Sequence, residues 1–214
     1  WVPVAVFSLQ VFAARPHQTR QARFPSANDP MPRDPEARPR PRLAVLVPAH
    51  NEASGIAATV SLVLSQLSPG DRLLVVADNC SDDTADIARR CGSEVVERAH
   101  PSLRGKGYAL DFGLRHLAAD PPEVLIIVDA DCSLDTDALQ RLAVACAGSQ
   151  RPVQGLYLMH APVGAPLRLR ISAFAWRVKN WVRPSGASRL GMPCPLMGTG
   201  MAFPWVLIRG TSLA

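Results

Sequence analysis

Asp129 and Asp131 stand two residues apart directly after Val124–Val128 (VLIIV), the strongest apolar run in the chain. On an extended backbone that spacing points both carboxylates the same way. Hard divalent cations take oxygen ligands, and Mg²⁺ usually accepts one or two carboxylates together with phosphate oxygens. An Asp-x-Asp alone is more often a turn or a helix cap. Its place at the end of a fully apolar strand, opposite a second strand that ends in Asp78, shifts the reading toward chemistry. Lys106 lies between Gly105 and Gly107, two residues after Arg104. Glycines let backbone amides approach an anion, and the helix that follows adds positive potential, so this segment suits a diphosphate. The plain alternative is a solvated turn lysine. The first strand ends in Pro48, Ala49, His50, Asn51 and Glu52, and the second in Asp78, Asn79, Cys80 and Ser81. Three acidic clusters and one cationic cluster are what holding a metal and a diphosphate together requires.

Other chemistries find no support. GxxxxGK[ST] is absent, and no GxGxxG follows the first strand, which counts against a Walker loop and a dinucleotide enzyme. The five cysteines include no CxxC pair, which argues against a zinc ribbon or a disulfide scaffold and favours a reduced setting. Cys80 and Cys132 read as small packed residues rather than nucleophiles. His50, His100, His116 and His160 have no ligand spacing such as HExxH. The net charge of +5 is concentrated: residues 15–42 hold seven Arg against three acids, and the remainder has 16 basic and 15 acidic residues. A nucleic-acid-binding globule would carry its basic face on the folded part, so no nucleic-acid partner is expected, whereas a basic tail beside a membrane explains the charge well.

These residues need elements to position them. Residues 43–49 (LAVLVPA) read as a buried strand. Ile56, Val60, Val63 and Leu67 form a helical stripe within 54–67. Strands at 72–77 and 94–97 flank a helix at 81–92 whose acids lead and whose Arg89 and Arg90 trail, matching the helix dipole. A helix at 107–119, the strand 124–128, a helix at 135–147 and a strand at 153–158 follow. Alternation of this kind implies an α/β sandwich with a mainly parallel sheet flanked by helices, its ligands gathered at the carboxyl ends of the strands.

The segments LAVLVPAHNE (43–52), VVADNCSDDTADIA (75–88), RGKGYALDFGL (104–114) and VDADC (128–132) resemble the GT-A fold glycosyltransferases of family 2, and among them the bacterial exopolysaccharide and cellulose-synthase-like enzymes. QGLYLM (154–159) and MGTGMAF (197–203) extend the resemblance more loosely. It implies a UDP- or GDP-linked sugar donor and transfer with inversion to a growing polysaccharide or lipid-linked acceptor. By the same resemblance Pro48, Ala49, Asn51, Glu52 and Asp78 hold the nucleoside, Asp129 sits near the ribose and diphosphate, Asp131 binds Mg²⁺ or Mn²⁺, and Lys106 and Arg104 lie near the donor. The family's acidic general base belongs to a later motif. This chain has no Asp or Glu after Asp137, so the base is expected beyond Ala214 and the chain reads as a fragment cut at both ends. Two other readings stay open: a remnant that binds nucleotide sugar without catalysis, and a sugar nucleotidyltransferase. The latter expects a glycine-rich basic loop where Ala49, His50, Asn51 and Glu52 stand.

The ends complete the expectation. Residues 1–14 are apolar apart from Ser8 and Gln10 and read as the end of a transmembrane helix, too short alone for the roughly 20 residues a span needs. Residues 15–42, with seven Pro, read as a linker, and 43–214 as the glycosyltransferase domain. This places the chain at the cytoplasmic membrane with its catalytic domain on the cytosolic side. Residues 165–183 form an amphipathic helix whose stripe Leu167, Ile171, Phe174, Val178 and Trp181 either packs on the domain or lies on a membrane surface. Residues 193–203 read as a loop.

Overall fold

A run of apolar residues with no polar side chain to turn toward water can be a strand only where both faces of a sheet are covered. After helix α1 (Val2–Ala13), β1 (Leu43–Ala49) meets that condition in the computed structural model, which describes residues 2–14 and 40–214. Leu43 through Val47 are fully buried. Helix α2 (Ile56–Leu64), β2 (Arg72–Asp78), α3 (Thr84–Arg90), β3 (Glu94–Arg98), α4 (Lys106–Leu117), β4 (Val124–Ile127) and α5 (Ala138–Ser149) follow as the alternation requires. Then come β5 (Val153–Gln154), α6 (Leu167–Arg177), a π-helical turn (Val178–Val182), α7 (Arg183–Arg189), β6 (Met201–Pro204) and α8 (Trp205–Ile208).

The six strands lie in the order β3-β2-β1-β4-β6-β5. β1 pairs in parallel with β2 and β4, and β2 with β3, while β6 runs antiparallel to both β4 and β5. A proline inside a central strand would normally remove a ladder bond. Here Leu46 turns its carbonyl toward β4, accepting from Val128 N–H at 3.1 Å, so Pro48 two residues on faces the same side, where β4 has already ended. Helix α4 lies close on the sheet because Gly113 has no side chain: a Cβ there would meet Leu46 Cδ1 at 2.5 Å.

Two expectations are corrected. The strand expected over 153–158 is only Val153–Gln154, because its partner β6 offers just Ala202 and Met201 before the turn in which Gly155 N–H bonds to Gly200 O. The loop expected over 193–203 ends in β6, whose Met201 and Ala202 are buried beside β4.

The described residues fall into two units. Residues 40–155 with 198–214 form the sheet unit. Residues 2–14 with 156–197 form the second. In that second unit α1 packs on α7 at Gly186, where a Cβ would meet Gln10 O at 1.9 Å, and Arg189 Nη1 donates to Ala13 O at 2.7 Å. Helix α6 and the π turn bury Asn180, which donates to Tyr157 O at 2.9 Å, and set Trp176 edge-on to Tyr157 at 5.7 Å. Of the two roles expected for the stripe, packing on the domain does not apply to its first three residues: Leu167, Ile171 and Phe174 are 68%, 58% and 68% exposed. Among the described residues no helix is long and apolar enough to cross a membrane. The linker expected over 15–42 lies outside the described residues except for its last three.

Candidate functional site

Parallel pairing carries the carboxyl ends of β1, β2, β3 and β4 to one edge. Ala49 lies beside Ala77, Asp78 beside Arg98 and Leu46 beside Ile127, so the loops holding Pro48–Glu52, Asp78 and Asp129–Asp131 leave the sheet together. Asn51 and Asn79 turn the chain sharply there with φ of 56° and 52°, a left-handed conformation that Asn tolerates better than most residues. The first two loops are then clamped. Ser81 N–H donates to Asn51 Oδ1 at 2.8 Å, Glu52 N–H to Thr84 Oγ1 at 2.8 Å and Ala53 N–H to Asp82 Oδ2 at 3.1 Å. The Thr84 hydroxyl, with the backbone N–H groups of Ala53 and Thr84, holds the Asp82 carboxyl below its ordinary range. His50 Nδ1 lies 2.7 Å from Asp78 O. Ala49 O accepts from the Cys80 thiol at 3.5 Å.

Asp78 is 5% exposed and is paired within the protein. Its Oδ1 accepts from Arg98 Nη1 at 2.5 Å and from Asn79 Nδ2 at 3.0 Å. Arg98 also donates to Leu103 O at 2.8 Å and lies 5.4 Å from the Tyr108 ring centroid. This arginine was not singled out from the sequence. It ends a short strand that otherwise reads as solvated, and only the β2–β3 register puts it against Asp78.

The carboxylates after β4 are close for a reason other than strand alternation. β4 ends at Ile127, and Asp129 to Cys132 form a turn in which Cys132 N–H donates to Asp129 O at 3.2 Å. Ligand atoms of Asp129, Asp131 and Cys132 all lie within 4.8 Å of one another, and Asp131 is exposed. The turn is held from below. Thr59 Oγ1 of α2 donates to Ala130 O at 2.7 Å, and Asp129 N–H donates to the buried Thr199 Oγ1 at 2.9 Å. Burial pushes the Cys132 thiol up, and its Sγ lies 3.3 Å from the same hydroxyl. Lys106 Nζ pairs with Asp129 Oδ1 and donates to Gly198 O at 2.6 Å. Arg104 is exposed two residues earlier. Thus Lys106, Asp129 and Asp131 come together, and Thr59, Gly198 and Thr199 join them through contacts that sequence spacing does not signal.

Two carboxylates on a fixed turn fit a hard divalent cation, leaving further positions for phosphate oxygens or water. The oxygen-rich set suits Mg²⁺ or Mn²⁺ better than a thiolate metal. Lys106 at the first turn of α4 supplies a cation beside them, and the amino end of this 12-residue helix adds positive potential for an anion.

Residues 44–147 match the model of glycosyl transferase family 2. An uncharacterized glycosyltransferase of Mycobacterium tuberculosis is 35% identical over 145 residues, covering 64% of this chain and 60% of its own length. The low-salt glycan biosynthesis hexosyltransferase of Haloferax volcanii is 34% identical over 106 residues, 48% of this chain and 24% of its own. The chain therefore spans about 60% of the first of these relatives and less of the second. Among solved structures, the mannosyltransferase from Pyrobaculum calidifontis in complex with GDP-Man and Mn²⁺ superposes with a TM-score of 0.60 at 21% identity, over 95% of this chain and 54% of that one. Glucosyl-3-phosphoglycerate synthase from Mycobacterium tuberculosis, in complex with Mn²⁺, UDP and phosphoglyceric acid, gives 0.51 at 22% identity over 78% of this chain and 57% of that one. The fold is that of the GT-A glycosyltransferases, and residues 44–147 are similar in sequence to glycosyl transferase family 2.

Proposed function

We propose that this chain is the donor-binding part of a metal-dependent, inverting glycosyltransferase of the exopolysaccharide and cellulose-synthase-like type. Its donor is a UDP- or GDP-linked sugar, its acceptor a polysaccharide or a lipid-linked glycan, and its place the cytosolic side of the cytoplasmic membrane. The observation that carries the reading is the meeting of Asp129, Asp131 and Lys106 at the sheet edge where the clamped Pro48–Glu52 and Asp78 loops also end.

In this reading Asp131 and Asp129 present oxygens to Mg²⁺ or Mn²⁺. When bound, the ion neutralises charge on the leaving diphosphate as a Lewis acid. Lys106 leaves Asp129 for the donor phosphates, within reach of its flexible stem. Ala49 and Asn51 shape the nucleoside wall by backbone position, since Asn51 Oδ1 is already taken by Ser81 N–H. The buried Asp78–Arg98 pair keeps that wall fixed and offers its polar edge to the base. Transfer also takes a base that removes the acceptor proton, a role that none of these donor-side residues fills. The proposal for this chain is therefore donor and metal binding.

Calorimetric titration with UDP and GDP, with and without Mn²⁺, tests it. Binding that requires Mn²⁺ and falls at least about ten-fold in Asp131→Ala is expected, in line with the loss of one charged ligand contact. Equal affinity with and without metal, or in the variant, would reject it.

A further inference from the structure

The second unit holds a feature that donor binding does not use. Helix α6 has no buried residue, and its three most exposed apolar side chains, Leu167, Ile171 and Phe174, recur at i, i+4 and i+7. At 100° per residue these fall within one narrow stripe, with Arg168 on one side and Arg170 and Arg177 on the other. The inward face is a different one, formed by Leu169, Ala173, Trp176 and Asn180. Just before α6, Val163 is fully exposed. Between that loop and α6 runs a shallow groove of about 430 Å³, with Pro162, Val163, Ala173 and Phe174 as its apolar wall and Arg170 and Arg177 as its charged rim.

Charge selects the occupant. Residues 156–197 contain five Arg, one Lys and no acid. By contrast, residues 43–155 with 198–214 have ten basic against fifteen acidic residues. A second copy docking by the same face would bring the same six cations against themselves. An aqueous protein surface would leave the stripe of Leu, Ile and Phe unmatched unless it were apolar as well. An anionic bilayer satisfies both halves at once: the stripe enters the acyl boundary while the flanking guanidinium groups stay with lipid phosphates, their stems lying along the apolar face.

We infer that α6 with the loop before it is an interfacial docking element for an anionic phospholipid surface. It uses none of the residues assigned to donor binding, so either reading can fail without the other.

Flotation of the full chain with phosphatidylcholine vesicles, with and without phosphatidylglycerol, tests the inference. Three proteins are compared: the parent, an Ile171→Ser/Phe174→Ser variant and an Arg170→Gln/Arg177→Gln variant. All four positions are exposed, and unchanged circular dichroism and thermal midpoint establish that each variant is folded. The expected result is binding that needs phosphatidylglycerol. It should fall at least about ten-fold with the stripe variant and about five-fold for each arginine removed. Flotation of the stripe variant equal to the parent would overturn the inference, since α1, with Phe7 and Phe12 exposed, would then be sufficient by itself. So would flotation indifferent to phosphatidylglycerol. Lipid-free dimers that the stripe variant dissociates in sedimentation would overturn it in favour of self-association.

Discussion

At the scale of single residues the site is organised by two ion pairs of different character. Lys106 and Asp129 are each about one-third exposed, so their attraction is screened and worth about 1 kcal/mol or less. A divalent ion on Asp129 must compete with that ammonium. Lys106→Met should therefore tighten Mn²⁺ on the nucleotide-free chain about three- to five-fold, while weakening UDP at saturating Mn²⁺. Calorimetry of each ligand alone reads both signs, and an unchanged Mn²⁺ affinity would mean that the lysine does not compete. Arg98 and Asp78 differ in being almost wholly buried. Replacing Arg98 by Met strands a buried carboxylate and should cost about 3–5 kcal/mol, whereas Arg98→Met with Asp78→Asn should recover part of it. Urea midpoints of the single and double variants measure the difference. The acids were legible in the sequence because Asp at the end of an apolar strand is conspicuous by type and place. Arg98 and Thr199 were not, because each acts through a partner, 20 residues away for one and 70 for the other, that only the folded register supplies.

At the scale of elements, apolar runs were enough to find β1, β2 and β4, since a continuous buried strand has few other interpretations. They did not find β6. MGTGMAF carries two glycines with φ of 93° and 62° and reads as a loop until Met201 and Ala202 are laid against β4. Helical periodicity found the stripe of α6 but not its direction, because period identifies a face without saying what covers it. Two helical glycines show how context decides sign. Gly148 in α5 has open space around its missing Cβ, so Gly148→Ala should stabilise by about 0.5–1 kcal/mol through helix propensity. Gly113 in α4 has the same propensity to gain. Its new Cβ, however, would meet Leu46 and Val76, both wholly buried, at 2.5 and 3.0 Å. Overpacking of that kind costs about 1–3 kcal/mol and outweighs propensity, so Gly113→Ala should destabilise. Opposite shifts of the urea midpoint are expected, and a shift of the same sign in both would show that α4 can slide off the sheet at little cost.

At the scale of the whole molecule, stability is bounded on both sides of neutral pH by groups far from the candidate site. Glu94 feels burial pushing its carboxyl up, but hydrogen bonds from His116 and Arg72 outweigh this and leave it below its ordinary value. Its contribution is present above the ordinary carboxylate range and is lost as pH falls through the lowered folded value. Because the group is well exposed, that limb should be shallow. The alkaline limb is steeper. Cys146, wholly buried in α5, has its thiol pushed by burial from 9.0 up to about 11. Between those values the unfolded chain has lost a proton that the folded chain still holds, so folding stability must fall as pH rises. One such group contributes a slope approaching about 1.4 kcal/mol per pH unit. Cys146→Ala removes the titrating group while keeping a small apolar side chain in α5. The variant should start less stable at neutral pH because of the space left by sulfur, yet lose less on going from pH 9 to 11. Denaturant midpoints across that range, for parent and variant, read the slope separately from the offset. A variant as steep as the parent would place the alkaline sensitivity elsewhere, with Cys132, whose thiol burial also raises, as the remaining candidate in the sheet unit.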